Sequence, residues 1–137
     1  MPKLSVEELN AFFNQAFAKN PMIVEELSDA GATIRHPIDS EHLRPGETVL
    51  GPVLMAVADT AAYAAVLARI GLVPLAVTAN LNIHFLRRPR GDRDVLGRAR
   101  LVKTGRRLAV VQVDVLSDGE PEPVACATVA YALPADR

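Results

Sequence analysis

The sequence predicts an α+β fold in which one long central helix is wrapped by an antiparallel β-sheet, with an additional N-terminal helix. Three observations carry that expectation. Residues Pro52 to Ile70 leave almost no polar face, and a helix that is apolar all round must be buried. Directly after it the hydrophobic period changes from helical to alternating and stays alternating through four strand-like stretches. The spacers between those stretches are too short for the crossover helices of a parallel sheet.

Length and composition set the frame. A chain of 137 residues fits one domain over 1–137 and at that size buries roughly two thirds of its unfolded surface without disulfides or metals. Half of the residues are hydrophobic but only 4% are aromatic, so the core is expected to be Val, Leu, Ala and Ile. Fifteen basic against 16 acidic residues give no basic excess of the kind nucleic-acid binders carry. The lone Cys126 excludes an internal disulfide and a thiolate-rich metal site. With no apolar run at Met1–Ser5, the expectation is a cytoplasmic protein, neither exported nor embedded in a membrane.

Along the chain, Ser5 and Glu8 form a capping-box pattern ahead of Leu9, Phe12, Phe13, Ala16 and Phe17, which recur at helical spacing until Asn20-Pro21. From about Val24 to Ile38 the pattern is strand-like, with Ala32, Ile34 and His36 on one face and Thr33 and Arg35 on the other. A loop is expected from Asp39 to Glu47 around Pro45-Gly46. The central helix follows, with Pro52 suited to its first turn and Gly71 to its end. Its length approaches a membrane span, but Asp59 near the middle and the alanine-rich pattern favour a core helix. Leu75, Val77, Ala79, Leu81, Ile83 and Phe85 then alternate with Ala76, Thr78, Asn80, Asn82 and His84, one face core and the other polar. Strands near 93–103, 107–116 and 123–133 complete a meander turning at Thr104-Gly105 and Asp118-Gly119.

Asp59 is the strongest chemical signal, because burying an ionised carboxylate costs several kcal/mol unless it is paired or sits in a site. Two readings stay open: a desolvated general base or nucleophile, or a structural group bonded to backbone or to a neighbouring subunit. Leu50-Gly51-Pro52 just before the helix offers free first-turn amides suited to an oxyanion, although every helix has such a terminus. Arg87, Arg88 and Arg90 after one strand, and Lys103, Arg106 and Arg107 around the next hairpin, read either as phosphate ligands or as solvated strand ends. His36, His42 and His84 show no metal-ligand spacing, and Cys126 reads as a structural thiol.

Taken together, G-P-V-L-M-A-V-A-D-T-A (51–61), A-V-T-A-N-L-N-I-H-F-L-R (76–87) and K-T-G-R-R-L-A-V-V-Q-V-D-V (103–115) resemble the PaaI-type acyl-CoA thioesterases of the hot-dog superfamily, over about residues 24 to 133. The resemblance implies the hot-dog fold, and dimers whose sheets join edge to edge, often pairing into tetramers, with active sites at the subunit interface. It makes Asp59 the base or nucleophile of thioester hydrolysis and gives the Gly51 amide, between Leu50 and Pro52, the polarisation of the carbonyl. It assigns Thr78 or Asn80 to the attacking water, and Arg87, Arg88, Lys103 and Arg106 to the phosphates of CoA. The family commonly reads H-G-G before the helix; here Leu50 replaces the histidine and Pro52 lacks the N–H of the second glycine. The asparagine common upstream is also missing, with His42 and Arg44 nearby.

The function expected from residues and resemblance together is an acyl-CoA thioesterase that needs no cofactor or metal and houses its acyl chain in a Val/Leu/Ala-lined tunnel. The alternative is a non-catalytic hot-dog protein that binds acyl-CoA or a similar apolar ligand. Neither reading involves nucleic acid or a membrane, and both expect a homo-oligomer.

Overall fold

In the computed structural model, which describes residues 1–136, Ser5 caps the first helix, α1 (Val6–Ala16). The Glu8 N–H donates to Ser5 Oγ at 3.1 Å and the Ser5 N–H to Glu8 Oε1 at 3.0 Å, the reciprocal pair the sequence predicts. Leu9 and Phe13 form its buried stripe.

The stretch expected as one strand over 24–38 is instead a hairpin, β1 (Ile23–Leu27) and β2 (Gly31–His36). Ser28 is the cause: its Oγ accepts from the Ala30 N–H at 3.2 Å and the Gly31 N–H at 3.0 Å, drawing the chain into a turn. The expected loop contains a one-turn 3-10 helix (Ser40–His42) and a short strand, β3 (Leu43–Arg44), which pairs with β4 (Thr48–Val49) just after it. Then come α2 (Gly51–Ile70), ended by Gly71 at φ 93°, and the strands β5 (Val77–Phe85), β6 (Val95–Thr104), β7 (Leu108–Ser117) and β8 (Ala125–Ala132).

Six of these strands form one antiparallel sheet in the order β1-β2-β6-β7-β8-β5, curled around α2. This is the hot-dog fold. Gly97 permits the close approach of sheet to helix, since a Cβ there would lie 2.8 Å from Val57 Cγ1 and 3.0 Å from Ala61 Cβ, while Gly31 permits that of β2 to β6, where a Cβ would overlap the Ala99 carbonyl oxygen. α2 is long and apolar enough to cross a membrane, but here it is the core helix.

The wrapping is uneven, which corrects the expectation of a helix buried all round. Every residue from Ala61 to Ala68 is buried, whereas Pro52, Met55 and Ala56 are exposed and Asp59 is half-buried. Those four positions form an i, i+3, i+4, i+7 stripe on the first half of α2 that the sheet of this chain does not cover. The sheet edges differ too. β1 is short, bulged between Val24 and Glu26, and carries two glutamates, all features that discourage further pairing. β5 is nine residues long, and Val77 and Phe85 are each more than half exposed, so its apolar positions are not the closed core face the alternation suggested.

Candidate active site

α2 brings Asp59 to the rim of that open stripe, opposite the start of β5. There Thr78 Oγ1 donates to Asp59 Oδ1 at 2.6 Å, and Tyr131 from β8 donates to the same oxygen at 2.9 Å. The Tyr131 hydroxyl also lies 3.1 Å from the Asp59 carbonyl oxygen. Thr78 and Tyr131 face each other directly in the β5–β8 ladder, so their side chains leave the same face of the sheet.

A register shift between Thr78 and Asn80 makes this possible. In plain alternation Thr78 would point away from Leu81, Ile83 and Phe85. The extra residue, Ala79, resets the phase so that all four face α2. The same shift pairs Asn80 with Ala130, one step from the inward Tyr131, and places it on the outer face of the sheet, away from Asp59. Of the two residues considered for the attacking water, only Thr78 meets the carboxylate.

Tyr131 is 4% exposed. Burial, and next the Asp59 carboxylate, push its phenol above the ordinary tyrosine value, so it stays protonated at neutral pH and acts as a donor. Asp59 Oδ2 receives no hydrogen bond from the described residues. The result is a carboxylate with one oxygen held twice and the other open.

Asp59 borders a cavity of about 440 Å³ between α1, α2 and the β5 edge. Its walls combine four aromatic rings with smaller apolar residues such as Ala18, Met22, Ala76 and Val77, and the rings were not part of the expected Val/Leu/Ala lining. Phe13 stacks on Tyr63 at a centroid distance of 5.8 Å and Tyr63 on Tyr131 at 5.6 Å, while Phe17 meets Phe13 edge-on at 5.9 Å. Four of the six Phe and Tyr residues therefore converge on one space, drawn from elements far apart in sequence. The sequence reading missed Tyr131 and Tyr63. The available signal was a polar-tipped ring at a core position, which usually finds a partner for its hydroxyl.

Gly51 is placed elsewhere. Its N–H has no acceptor among the described residues, while the Leu50 N–H donates to the His42 carbonyl at 2.9 Å. A Cβ on Gly51 would sit 3.5 Å from the Phe85 ring, so it lies over the far end of the strand that holds Thr78. Eight residues separate Gly51 from Asp59, about 12 Å along the helix axis, too far for both to act on one carbonyl within this chain. Pro52 is exposed on the open stripe and Leu50 is half-buried. The His42 ring packs edge-on against buried His36 at 4.7 Å, and Arg44 is exposed.

The basic residues divide into two groups at opposite ends of the sheet. Arg87 and Arg88 border a cleft of about 310 Å³ with Arg90, where Arg87 pairs with Glu122 and Arg90 with Asp92 and Glu120. Arg88 has no carboxylate partner among the described residues. Lys103 and Arg106 lie at the β6–β7 hairpin, and Lys103 shares an outer-face row with Val110, Ala130 and Asn80. Cys126, between Asp114 and His84 in another outer row, is half-buried.

Comparison with known proteins agrees with this architecture. A candidate thioesterase from Silicibacter sp. TM1040 superposes with a TM-score of 0.89 at 39% identity, covering 98% of this chain and 94% of its own. The phenylacetic acid degradation protein PaaI of Thermus thermophilus, in a mutant form, superposes with a TM-score of 0.73 at 27% identity, over 90% of this chain and 99% of its own. A candidate esterase of Thermoplasma acidophilum is 31% identical over 90 residues, 66% of this chain and 67% of that protein. The sequence profile of the thioesterase superfamily matches residues 46–124, a span that runs from the loop before Gly51 to the start of β8, and the chain belongs to that superfamily.

Proposed function

We propose that the protein hydrolyses an acyl-CoA thioester to the free acid and CoA, with Asp59 as the base that activates water or as the nucleophile itself. The observation that carries this reading is the Asp59 carboxylate, held by Thr78 and Tyr131 at the mouth of an apolar cavity large enough for a compact acyl group. Any tetrahedral intermediate would need an oxyanion donor, and the unpartnered Gly51 N–H at the start of α2 is suited to it.

The roughly 12 Å between Gly51 and Asp59 supports a site shared between two chains, with Gly51 from one and Asp59 from the other. The β5 edge and the open stripe of α2 supply the contact. If β5 pairs antiparallel with β5 of a second copy about a two-fold axis, the Phe85 end of one strand comes beside the Thr78 end of the other, carrying Gly51 of the second copy toward Asp59 of the first. Covering Pro52, Met55 and Ala56 would bury the stripe that the single chain leaves open. CoA would then run outward past basic residues; Arg88 is the candidate for a phosphate, since its guanidinium is not already paired with a carboxylate.

Thiol release from short, medium, long and aryl acyl-CoA esters tests this reading. Asp59→Asn should keep the fold and assembly and lose about 10²- to 10⁴-fold in kcat. Full rate in a correctly assembled Asp59→Asn would remove the mechanism. Tight binding across the panel without turnover would instead support a carrier of acyl-CoA or a similar apolar ligand, the reading favoured by Leu50 at the position of the family's histidine.

A further inference from the structure

We infer that Tyr131 is a positioning residue that fixes the Asp59 carboxylate through Oδ1 and so makes Oδ2 the reacting oxygen. This rests on the thioesterase reading above.

A carboxylate turns readily about its last torsion, because terminal sp³–sp² rotations have broad minima. At Asp59 that freedom is removed by two donors from neighbouring strands converging on one oxygen, Thr78 at 2.6 Å and Tyr131 at 2.9 Å. Thr78 is exposed at an irregular point of an edge strand, a weak anchor taken alone. Tyr131 is the firm one. It is buried, stacked on Tyr63 with planes 14° apart, and through Tyr63 connected to Phe13 on α1. Its one hydroxyl proton is directed at Asp59, nearer to the carboxylate Oδ1 at 2.9 Å than to the carbonyl oxygen of the same residue at 3.1 Å. The ring would fill its place in the core equally well as phenylalanine, so packing does not account for the hydroxyl.

The consequence is a defined course for the proton. Oδ2 takes a proton from water as the water oxygen bonds to the thioester carbon; when the C–S bond breaks, the same proton passes to the leaving sulfur, giving a carboxylic acid and a thiol. Thr78 and Tyr131 keep their protons throughout, and the hydrogen bonds to Oδ1 hold the carboxylate in place across both transfers.

The test is Tyr131→Phe, which keeps the ring stack and deletes the donor. Loss of one hydrogen bond to a charged group should lower kcat by about 10- to 100-fold. KM should change little, and the acid limb of the pH–rate profile should move to higher pH, because a donor to the charged form has been lost. A purely structural role would lower stability and leave that limb in place. Wild-type kcat with an unmoved acid limb would overturn the inference. If the wild type turns over no thioester, the thioesterase reading falls and a second readout decides the positioning. In protein labelled with ¹³C-aspartate, the Asp59 carboxyl signal, assigned by its absence in Asp59→Asn, should move in chemical shift and broaden in Tyr131→Phe, because a carboxylate released at Oδ1 samples more than one orientation. A signal at the wild-type shift and width would overturn the positioning.

Discussion

The two halves of α2 are made of nearly the same residues and meet opposite surroundings. Ala61 to Ala68 lie under β2, β6, β7 and β8 with no more than 8% of any side chain exposed, while Pro52, Met55 and Ala56 face outward. Composition states that a helix needs cover; it does not state who supplies it. The second half is covered by its own chain. The first half, beside the open β5 edge, is where the proposed site draws on a second copy. The chemistry follows the same division. Asp59 sits at the boundary with two of its hydrogen bonds made, and Gly51 sits at the open end with its N–H unmet.

The sharpest way to break that comparison is to split the site between chains. Asp59→Asn and Gly51→Pro should each be inactive alone. Gly51→Pro removes the N–H in question, its added Cβ would meet the Phe85 ring at an ordinary contact distance of 3.5 Å, and Leu50 already has the extended backbone that a following proline favours. Dissociating the two variants and reassociating them together should restore thiol release, since a mixed dimer holds one intact site. A mixture as inactive as its parts would place the whole site within one chain.

A smaller effect separates the halves of the helix by stability and assembly. Met55→Glu puts a charge on the open stripe and should yield a folded, monomeric, inactive protein, seen as a lower sedimentation coefficient with an unchanged circular dichroism spectrum. Ala62→Leu adds volume to the closed half and should cost about 1–3 kcal/mol in chemical denaturation by overpacking. If Met55→Glu instead unfolds the protein and Ala62→Leu dissociates it, the assignment of the two halves is reversed.

The smallest expected effect lies at the other edge of the sheet. Arg35 on β2 binds Glu25 at 2.7 Å, Asp94 at 3.0 Å and Asp118 at 2.8 Å, tying β1 and β2 to the ends of β6 and β7. The guanidinium holds the Asp118 carboxyl below its ordinary value. A lowered folded value means a contribution fully present above the ordinary aspartate pKa and lost as pH falls through the folded one. Urea midpoints of the wild type should therefore drop more steeply below about pH 4 than those of Arg35→Leu. Parallel acid profiles would show that Arg35 contributes nothing through these charges.

Much of this was legible in the sequence, for physical reasons. Ser5 and Glu8, the apolar run after Pro52 and the alternation after Gly71 are local signals, and each gave its element within a few residues. The turn at Ser28 was hidden because Val24, Ala32 and Ile34 keep an apparent common phase across it. Asp59, Gly51 and Thr78 came from residue chemistry and family resemblance, and the 12 Å spacing follows from helix geometry alone. Tyr131 did not stand out, because Ala127, Val129 and Tyr131 read as one core face and only the fold brings that face to Asp59. The aromatic cavity was out of reach for the same reason, its walls being long-range neighbours.

Ala79 gives the molecule an unusual sensitivity to length. A strand that depends on one extra residue to turn Thr78 inward cannot be compared column by column with a relative lacking that residue: every position on one side of the insertion would be read in the wrong phase, and a hydroxyl that faces the carboxylate would be matched to a side chain that faces solvent. In evolutionary terms, a single codon gained or lost at this point can connect or disconnect a polar group from the site without altering any residue that touches it.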